Sequence, residues 1–160
     1  MKDSNHNLKQ EFWDRLEDIT AGMLSAPGAP ARPMAHIVRD GDEGVFWFIT
    51  ANGTDIAEAA TGGASATHVV ACPKGQLFAN ISGAMSVVTD KQVLDDIWSP
   101  MAAAWFEDGR QDDDICLIKF TPASADVWLT DGGGKFLYEV AKANLTDDTP
   151  DVGQSGTITF

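Results

Sequence analysis

The feature that most constrains this chain is a succession of short segments rich in β-branched and aromatic residues, separated by glycine, proline and aspartate. Such segments predict β-strands. Because turns rather than helices separate most of them, the β-α-β alternation of a parallel sheet is absent. The pattern therefore predicts an α+β fold, mainly antiparallel β, that closes into a barrel. The predicted strands span residues 21–25, 32–39, 45–50, 66–71, 76–88, 115–120, 125–129 and 157–160.

Two positions indicate where these strands bend. Gly83 lies in the middle of the long segment 76–88, and a glycine there indicates the bulge or bend that a sheet needs to curl into a barrel. Thr121-Pro122 separates two strand segments. Since proline cannot donate a ladder hydrogen bond, this pair predicts a turn.

The first predicted helix is amphipathic. Leu8, Phe12, Leu16 and Ile19 recur at spacings of three and four, which places one apolar stripe on a helix over residues 7–20. We expect this stripe to pack against the barrel.

Short helices are predicted over residues 54–60, 90–97 and 100–106. Each begins with a residue that favours a helix N-terminus: Thr54 or Asp55 for the first, an aspartate for the second and a proline for the third.

Length and charge limit the classes of function. The 160 residues fit a single domain over 1–160, with residues 145–160 predicted to be a partly mobile tail. A net charge of -13 with basic residues scattered singly argues against nucleic acid and anionic membranes as partners. No segment is apolar enough to span a bilayer, and the first residues lack the apolar core of a secretory signal. We therefore expect a cytoplasmic protein. Cys72 and Cys116 lie in apolar runs and are predicted to be buried reduced thiols, with a disulfide as the alternative.

Most signals for chemistry are weak. His6, His36 and His68 lie in unrelated contexts without ligand spacing, so no metal site is predicted, and the last two are interpreted as hydrogen-bonded strand histidines. Gly132-Gly133-Gly134 with Lys135 lacks the spacing of a phosphate loop and predicts a flexible turn before a weak element. Asp112-Asp113-Asp114 predicts a solvated loop rather than a calcium site. No nucleophile with a neighbouring base is recognisable, so the catalytic residues are unknown.

Two groups are better candidates. Arg32 follows a break rich in proline and glycine, and at the start of a strand it can hold an anion while the backbone offers its amides. The alternative is an ordinary exposed arginine at a strand end. Trp98, Trp105 and Phe106 cluster around Pro100, which suits packing in the core or at a subunit interface, or stacking against a planar ligand.

Five pieces of sequence occur in an order typical of one family. Between Phe12 and Trp128 the chain resembles the general stress protein 26 type of the pyridoxamine 5'-phosphate oxidase-related, FMN-binding split-barrel family. The segment from Ile97 to Gly109, with its Trp-Ser-Pro and Ala-Trp-Phe, is the most specific piece. The other four are Glu11-Phe12-Trp13, Arg32-Pro33-Met34-Ala35, Trp47-Phe48-Ile49-Thr50 and Ile81-Ser82-Gly83.

This resemblance implies a split β-barrel with flanking helices that forms a homodimer and holds FMN at the shared interface. It implies that Arg32 meets the flavin phosphate or ribityl chain and that the backbone around Pro33, Met34 and Ala35 borders the isoalloxazine ring. It further implies three contributions from elsewhere in the chain. Ile49 and Thr50 would line the same groove, Thr54 would supply a hydroxyl near the phosphate, and Trp105 would reach the ring from the partner subunit.

One departure from the family pattern concerns the phosphate. Where relatives often carry a basic residue after the position of Thr54, this chain has Asp55-Ile56. The lost cation and the added carboxylate are expected to weaken FMN binding by about 1–3 kcal/mol. Arg32, the backbone amides of residues 52–54 and the following helix N-terminus are the groups expected to form an anion site instead.

Two functions are compatible with the resemblance. The first is that of an FMN-binding general stress protein, a flavin-dependent oxidoreductase or flavin carrier with an unknown substrate. The alternative is a non-enzymatic dimeric binding module of the same fold that has lost tight flavin binding, and Asp55 with Ile56 is the evidence for it.

Overall fold

One antiparallel sheet of seven strands lies at the centre of the computed structural model, which describes residues 2–151 and 153–160. The sheet order is β2-β1-β4-β5-β6-β3, and β7 also pairs with β6. The strands are β1 (Gly22–Ala26), β2 (Ala29–Met34), β3 (Phe46–Ala51), β4 (Ala64–Cys72), β5 (Leu77–Val87), β6 (Ile115–Thr130) and β7 (Gly153–Thr159). The described helices are α1 (Lys2–Asp18), α2 (Asp55–Thr61), α3 (Lys91–Ile97), α4 (Pro100–Ala103) and α5 (Gly133–Leu145), with a 3-10 turn at Gly109–Gln111.

The sheet curls because its longest strand, β6, pairs with two different strands along one edge. β6 pairs with β5 along most of its length, while on the other edge residues 115–120 pair with β3 and residues 124–130 pair with β7. Beyond β2, Ile37 and Trp47 exchange two backbone hydrogen bonds of 2.9 Å. This bridge brings the two ends of the strand order together in a curled half-barrel with flanking helices. The predicted split-barrel fold class is confirmed.

The inside of the curl is filled by aromatic and aliphatic side chains. Phe46 and Phe120 occupy paired positions of β3 and β6, are fully buried, and stack with ring centroids 4.6 Å apart and planes 10° apart. Helix α1 covers this core with Phe12 and Leu16, both completely buried. All four residues of the predicted apolar stripe are buried, although Ile19 follows the helix rather than lying in it.

Local sequence signals located two further features correctly. Asp90 caps α3, because its Oδ1 accepts hydrogen bonds of 3.0 and 3.2 Å from the backbone N–H groups of Gln92 and Val93. Gly83 lies where the register between β5 and β6 shifts, as the predicted bulge requires. A Cβ atom on Gly83 would lie 2.3 Å from the carbonyl oxygen of Thr121, so the close approach of the strands depends on glycine.

The strand predicted over residues 32–39 is wrong at its end, because β2 stops at Met34. Within the described sheet, β2 pairs only with β1, and Met34 faces Gly22, the first residue of β1. Past that pair the chain has no neighbouring strand, apart from the isolated bridge at Ile37. His36 therefore lies outside the strands and is buried in the interior.

The turn predicted at Thr121-Pro122 is also wrong, because β6 runs without a break from Ile115 to Thr130. Pro122 lies between the stretch of β6 that pairs with β3 and the stretch that pairs with β7, and it faces Gly83 at the bulge. On one edge of β6, neither β3 nor β7 pairs with Pro122, and on the other edge the register with β5 shifts beside it. A residue without an N–H group can therefore lie inside this long strand.

The flexible turn predicted at the three glycines is wrong as well. Gly132 is the N-cap of α5 and the next two glycines are its first residues. An ion pair of 2.8 Å between Lys135 and Asp131 spans this helix start. The helix predicted over residues 100–106 ends earlier, at Ala103.

The C-terminal strand is confirmed and begins earlier than predicted, at Gly153. The partial mobility of residues 145–160 stays a prediction. Among the residues described, no helix is both long and apolar enough to cross a bilayer. Both cysteines are free thiols: Cys116 is buried, which raises its pKa, whereas Cys72 is half-buried.

Candidate functional site

A groove of about 490 Å³ lies between the end of β2, the end of β3 and the segment that contains α4. This volume is within the range of roughly 300–1,000 Å³ that is usual for small-molecule sites. All the residues for which the resemblance implied a role line this one groove, although they come from separate parts of the chain. They are Arg32, Pro33, Met34, Ala35, Ile49, Thr50, Thr54 and Trp105.

Barrel closure brings the two strand segments of the groove together. β2 and β3 lie at opposite ends of the strand order, and the bridge between Ile37 and Trp47 fastens the chain after β2 onto β3. Ile37 and Ile49 both pack against a second apolar cluster, which contains Trp47 and Leu117. The side wall of the groove is therefore supported by packed side chains.

The lining is mainly apolar and carries one charge. Met34 and Thr50 are buried, Ala35 and Ile49 are half-buried, and Arg32 is exposed. In the part of the chain that the structure describes, Arg32 is the one charged residue of the lining, and it forms no ion pair there. An apolar slot with a single guanidinium suits a flat heterocycle that carries a polar or anionic substituent.

Two hydrogen-bond donors near the start of α2 already have partners, the hydroxyl of Thr54 and the backbone N–H of Asn52. The Thr54 hydroxyl donates to the carbonyl oxygen of Ala51 at 3.1 Å and accepts from the backbone N–H of Ala57 at 3.2 Å, as the N-cap of α2. The backbone N–H of Asn52 donates to the carbonyl oxygen of Asp114 at 2.8 Å. The prediction that the amide of Asn52 contributes to an anion site is therefore wrong, because that N–H already donates to the loop before β6.

The mouth of the groove is formed by the segment around α4. Ser99 caps this short helix, its Oγ accepting from the backbone N–H of Ala102 at 3.2 Å. Met101 and Trp105 line the groove yet are 57% and 81% exposed, respectively. Phe106 is buried there, so the aromatic cluster combines one packed ring with one ring free to contact a ligand or a second subunit.

Two buried histidines lie next to the groove. His36 follows the lining residue Ala35, and its Nδ1 is 2.9 Å from Nε2 of His68, while its Nε2 is 3.0 Å from the carbonyl oxygen of Leu16. Since a carbonyl only accepts, Nε2 of His36 carries a proton, and Nε2 of His68 donates to Nδ1 of His36.

Burial lowers the pKa of both rings, and for His68, with the neighbouring His36 acting in the same direction, to about 3. Both are therefore neutral at pH 7. The interpretation of His36 and His68 as hydrogen-bonded strand histidines in unrelated contexts is wrong in three respects. The two rings contact each other, His36 lies outside the strands, and the buried Nδ1 of His68 has no partner within the described residues.

Seven of the sixteen groove residues were not selected by sequence reasoning. Met101 and Ala102 belong to the same segment as Trp105 and Phe106, which is the signal that could have found them. Thr20 and Ala21 carry no such signal, because only the closure of the barrel brings them to the groove. The residues not selected are Thr20, Ala21, Ile37, Ala51, Ser99, Met101 and Ala102.

Comparisons with known structures give consistent relatives. A structure from Jannaschia sp. CCS1, described as a general stress protein 26, is 47% identical, with a TM-score of 0.91 over 97% of this chain and 99% of that chain. A general stress FMN/FAD binding protein from Xanthomonas citri is 28% identical, with a TM-score of 0.72 over 80% of this chain and 92% of that chain. A general stress family protein from Xanthomonas campestris pv. campestris is 29% identical, with a TM-score of 0.71 over 80% and 90%.

A family model gives the same assignment. The model described as "Pyridoxamine 5'-phosphate oxidase like" matches residues 7–151. A comparison with curated proteins found no match. The family match covers most of the chain, and the solved relatives share its curled antiparallel sheet. The chain therefore belongs to the pyridoxamine 5'-phosphate oxidase-like family.

Proposed function

We propose that the groove binds FMN and that the protein is a flavin-dependent oxidoreductase or flavin carrier of the general stress type. The observation that carries this proposal is the convergence of all eight implied residues on one groove with apolar walls and a single guanidinium. The FMN/FAD binding protein of Xanthomonas citri, which shares the fold, supports it.

The lining fits a flavin in two respects. Pro33, Met34 and Ala35 on one side and Ile49 on the other offer apolar surface to a flat ring. Arg32, exposed and without an ion pair among the described residues, is available to a phosphate or to the ribityl hydroxyls. When bound, the flavin supplies the redox chemistry, and the protein supplies placement and exclusion of water.

We further propose that the protein works as a homodimer in the cytoplasm. Met101 and Trp105 leave large apolar surfaces exposed at the groove mouth, and a second copy covering them would shield a bound ring from water. Sedimentation equilibrium of the purified protein tests the dimer. A monomer at all concentrations would overturn this part of the proposal.

The flavin itself is tested by titration. Purified protein is expected to be yellow, or to bind added FMN with quenching of the flavin fluorescence. Arg32→Ala should weaken FMN binding by about ten- to a hundredfold, since a hydrogen bond to a charged group is worth roughly 1.5–3 kcal/mol. Arg110→Ala is the matched control, because Arg110 is exposed, pairs with Asp95 and lies outside the groove lining.

One outcome would favour the second candidate function. A protein that is dimeric and folded, but colourless and unable to bind added FMN, would be a binding module that has lost its flavin. The engaged hydroxyl of Thr54 and the carboxylate of Asp55 beside it are the observations that favour this alternative. Equal FMN affinity of Arg32→Ala and the parent protein would contradict the anion role of Arg32.

A further inference from the structure

We propose that a second copy of this chain docks on the outer face of the sheet, around a hollow formed by β1, β4, β5 and β6, and that this docking completes one side of the groove. The inference rests on the proposed homodimer and flavin site and names the surface through which the two copies meet. Its grounds are the charge, the exposure and the strand register of this face.

The hollow has a volume of about 790 Å³ and lies on the side of the sheet away from the core. On β5, Ile81 and Met85 are buried in the core, whereas Ser82 and Ala84 between them are exposed and line the hollow. The twelve lining residues come from four strands and the turn after β1. They are Ser25, Ala26, Pro27, Ser65, Ala66, Thr67, Ser82, Gly83, Ala84, Thr121, Pro122 and Ala123.

The lining of the hollow carries no charge in the part of the chain that the structure describes, although charged residues make up 22% of the sequence. Its exposed side chains are alanine, proline and small hydroxyl residues. Taking a charge out of water is costly, whereas a small uncharged surface loses little hydration when protein covers it. This face can therefore be covered without burying an unpaired ion.

The outer face continues from the hollow to the groove. Met23 and Val69 are register partners on β1 and β4, and each is 40% exposed. Thr67, two residues before Val69 and therefore on the same side of β4, lines the hollow. On the other side of β1, Met23 pairs with Pro33, an exposed residue that lines the groove. Because cross-strand partners share one face of a sheet, a single row of apolar side chains joins the hollow to the groove.

The charge of the chain favours a second copy as the occupant. Two chains that each carry a net charge of -13 repel one another, and opposed carboxylates in a contact would add to that repulsion. A face without charges lets two identical chains meet in a two-fold contact without placing like charges opposite each other. A basic protein or a nucleic acid would instead be recognised through charged side chains, which the described lining of the hollow does not contain.

The size of the face agrees with part of a dimer interface. The strands from β2 to β6 are spaced about 4.8 Å apart and expose about 20 Å of their length, which gives a projected area of roughly 400 Å². A stable interface buries about 800 Å² on each partner. Met101 and Trp105 add exposed apolar surface at the mouth of the groove that this face adjoins. The contact therefore includes both the outer face and the groove mouth.

The test introduces one negative charge into the face and measures the association of the copies. Ser82→Glu and Ser65→Glu each place a carboxylate at an exposed position of the hollow, on β5 and β4 respectively. Each should raise the dissociation constant of the dimer at least about a hundredfold in sedimentation velocity, because both copies then bring an unpaired charge into the contact. FMN binding should weaken at least about tenfold along with the dimer, although neither serine lines the groove.

The matched control is Ser155→Glu, which makes the same change at an exposed serine of β7 outside the hollow and the groove. It should leave both the dimer and FMN binding unchanged. Circular dichroism and urea unfolding establish that each variant is folded. Since the two test serines lie on different strands, either variant carries the test if the other does not fold.

The outcomes separate this inference from the proposed function. A folded Ser82→Glu or Ser65→Glu protein that is as dimeric as the parent would overturn the docking face and leave the homodimer in place. A folded monomer that binds FMN as tightly as the parent would overturn the claim that the partner completes the groove. If both variants break the dimer of a protein that never binds FMN, the flavin site is overturned and the docking face stands. A monomeric parent protein would overturn the homodimer and this inference together.

Discussion

Lowering the pH from 7 to 5 should destabilise the fold by about 2 kcal/mol through His68 alone. His68 is fully buried among Phe46, Phe48 and His36, and its Nδ1 has no hydrogen-bond partner within the described chain. A proton added there would create a buried charge without an acceptor. The folded protein therefore resists protonation, as the lowered pKa of about 3 indicates.

The sign and the size of this loss of folding stability follow from proton linkage. In the unfolded chain this histidine takes up a proton below its ordinary pKa of 6.5, whereas in the folded chain it stays neutral down to about pH 3. The contribution of neutral, buried His68 to folding stability is thus fully present above pH 6.5 and is lost as the pH falls from 6.5 to about 3. Each pH unit costs about 1.4 kcal/mol per histidine. His36, whose pKa burial also lowers, adds a loss of the same sign.

Urea unfolding at pH 7 and pH 5 measures this loss. Carboxylates with ordinary pKa values near 4 change little above pH 5, so the histidines dominate the interval. His68→Gln removes the titrating group and retains an N–H that can donate to His36, so the difference in unfolding free energy between the two pH values should shrink by about 2 kcal/mol. The reasoning is refuted if the parent protein loses less than about 1 kcal/mol, or if His68→Gln loses as much as the parent.

Two further predictions concern packing. Gly83→Ala should lower the unfolding free energy by about 1–3 kcal/mol, because its Cβ would lie 2.3 Å from the backbone oxygen of Thr121. The control is Gly62→Ala, where an added Cβ meets open space. Equal urea midpoints for the two variants would contradict the steric argument. Phe120→Ala should cost about 3–5 kcal/mol through loss of its stack on Phe46. Trp128→Ala, at a half-exposed position of the same strand, should cost clearly less, and the reverse order in denaturant midpoints would show that the core is assigned wrongly.

The candidate site was predicted in two different ways. From chemistry alone, the sequence singled out Arg32, because a cation at a strand start after a chain break can hold an anion. Trp105 and Phe106 were noted as rings suited to packing or stacking, and the other six predicted residues came from the family resemblance. The structure brings all of these residues to one groove. The use of the Thr54 hydroxyl and the Asn52 amide could not be predicted, since their partners are set by the local fold and by pairing with the loop before β6.

The sequence by itself determined the features whose causes are local. The apolar stripe of α1, the Asp90 cap and the bulge at Gly83 each depend on spacing or on the chemistry of one residue and its neighbours. The class of the sheet also follows from short-range patterns, because turns separate most of the strands predicted from the sequence and no β-α-β alternation is present in it.

Only the tertiary structure decided the features whose partners are distant along the chain. β2 ends at Met34 because β1 offers no further partner, and β6 passes through Pro122 because the neighbouring ladders are interrupted there. The pairing of His36 with His68 and the assembly of the groove likewise require closure of the barrel. A backbone hydrogen bond or a buried contact takes its free energy from both partners, and a single segment specifies only one of them.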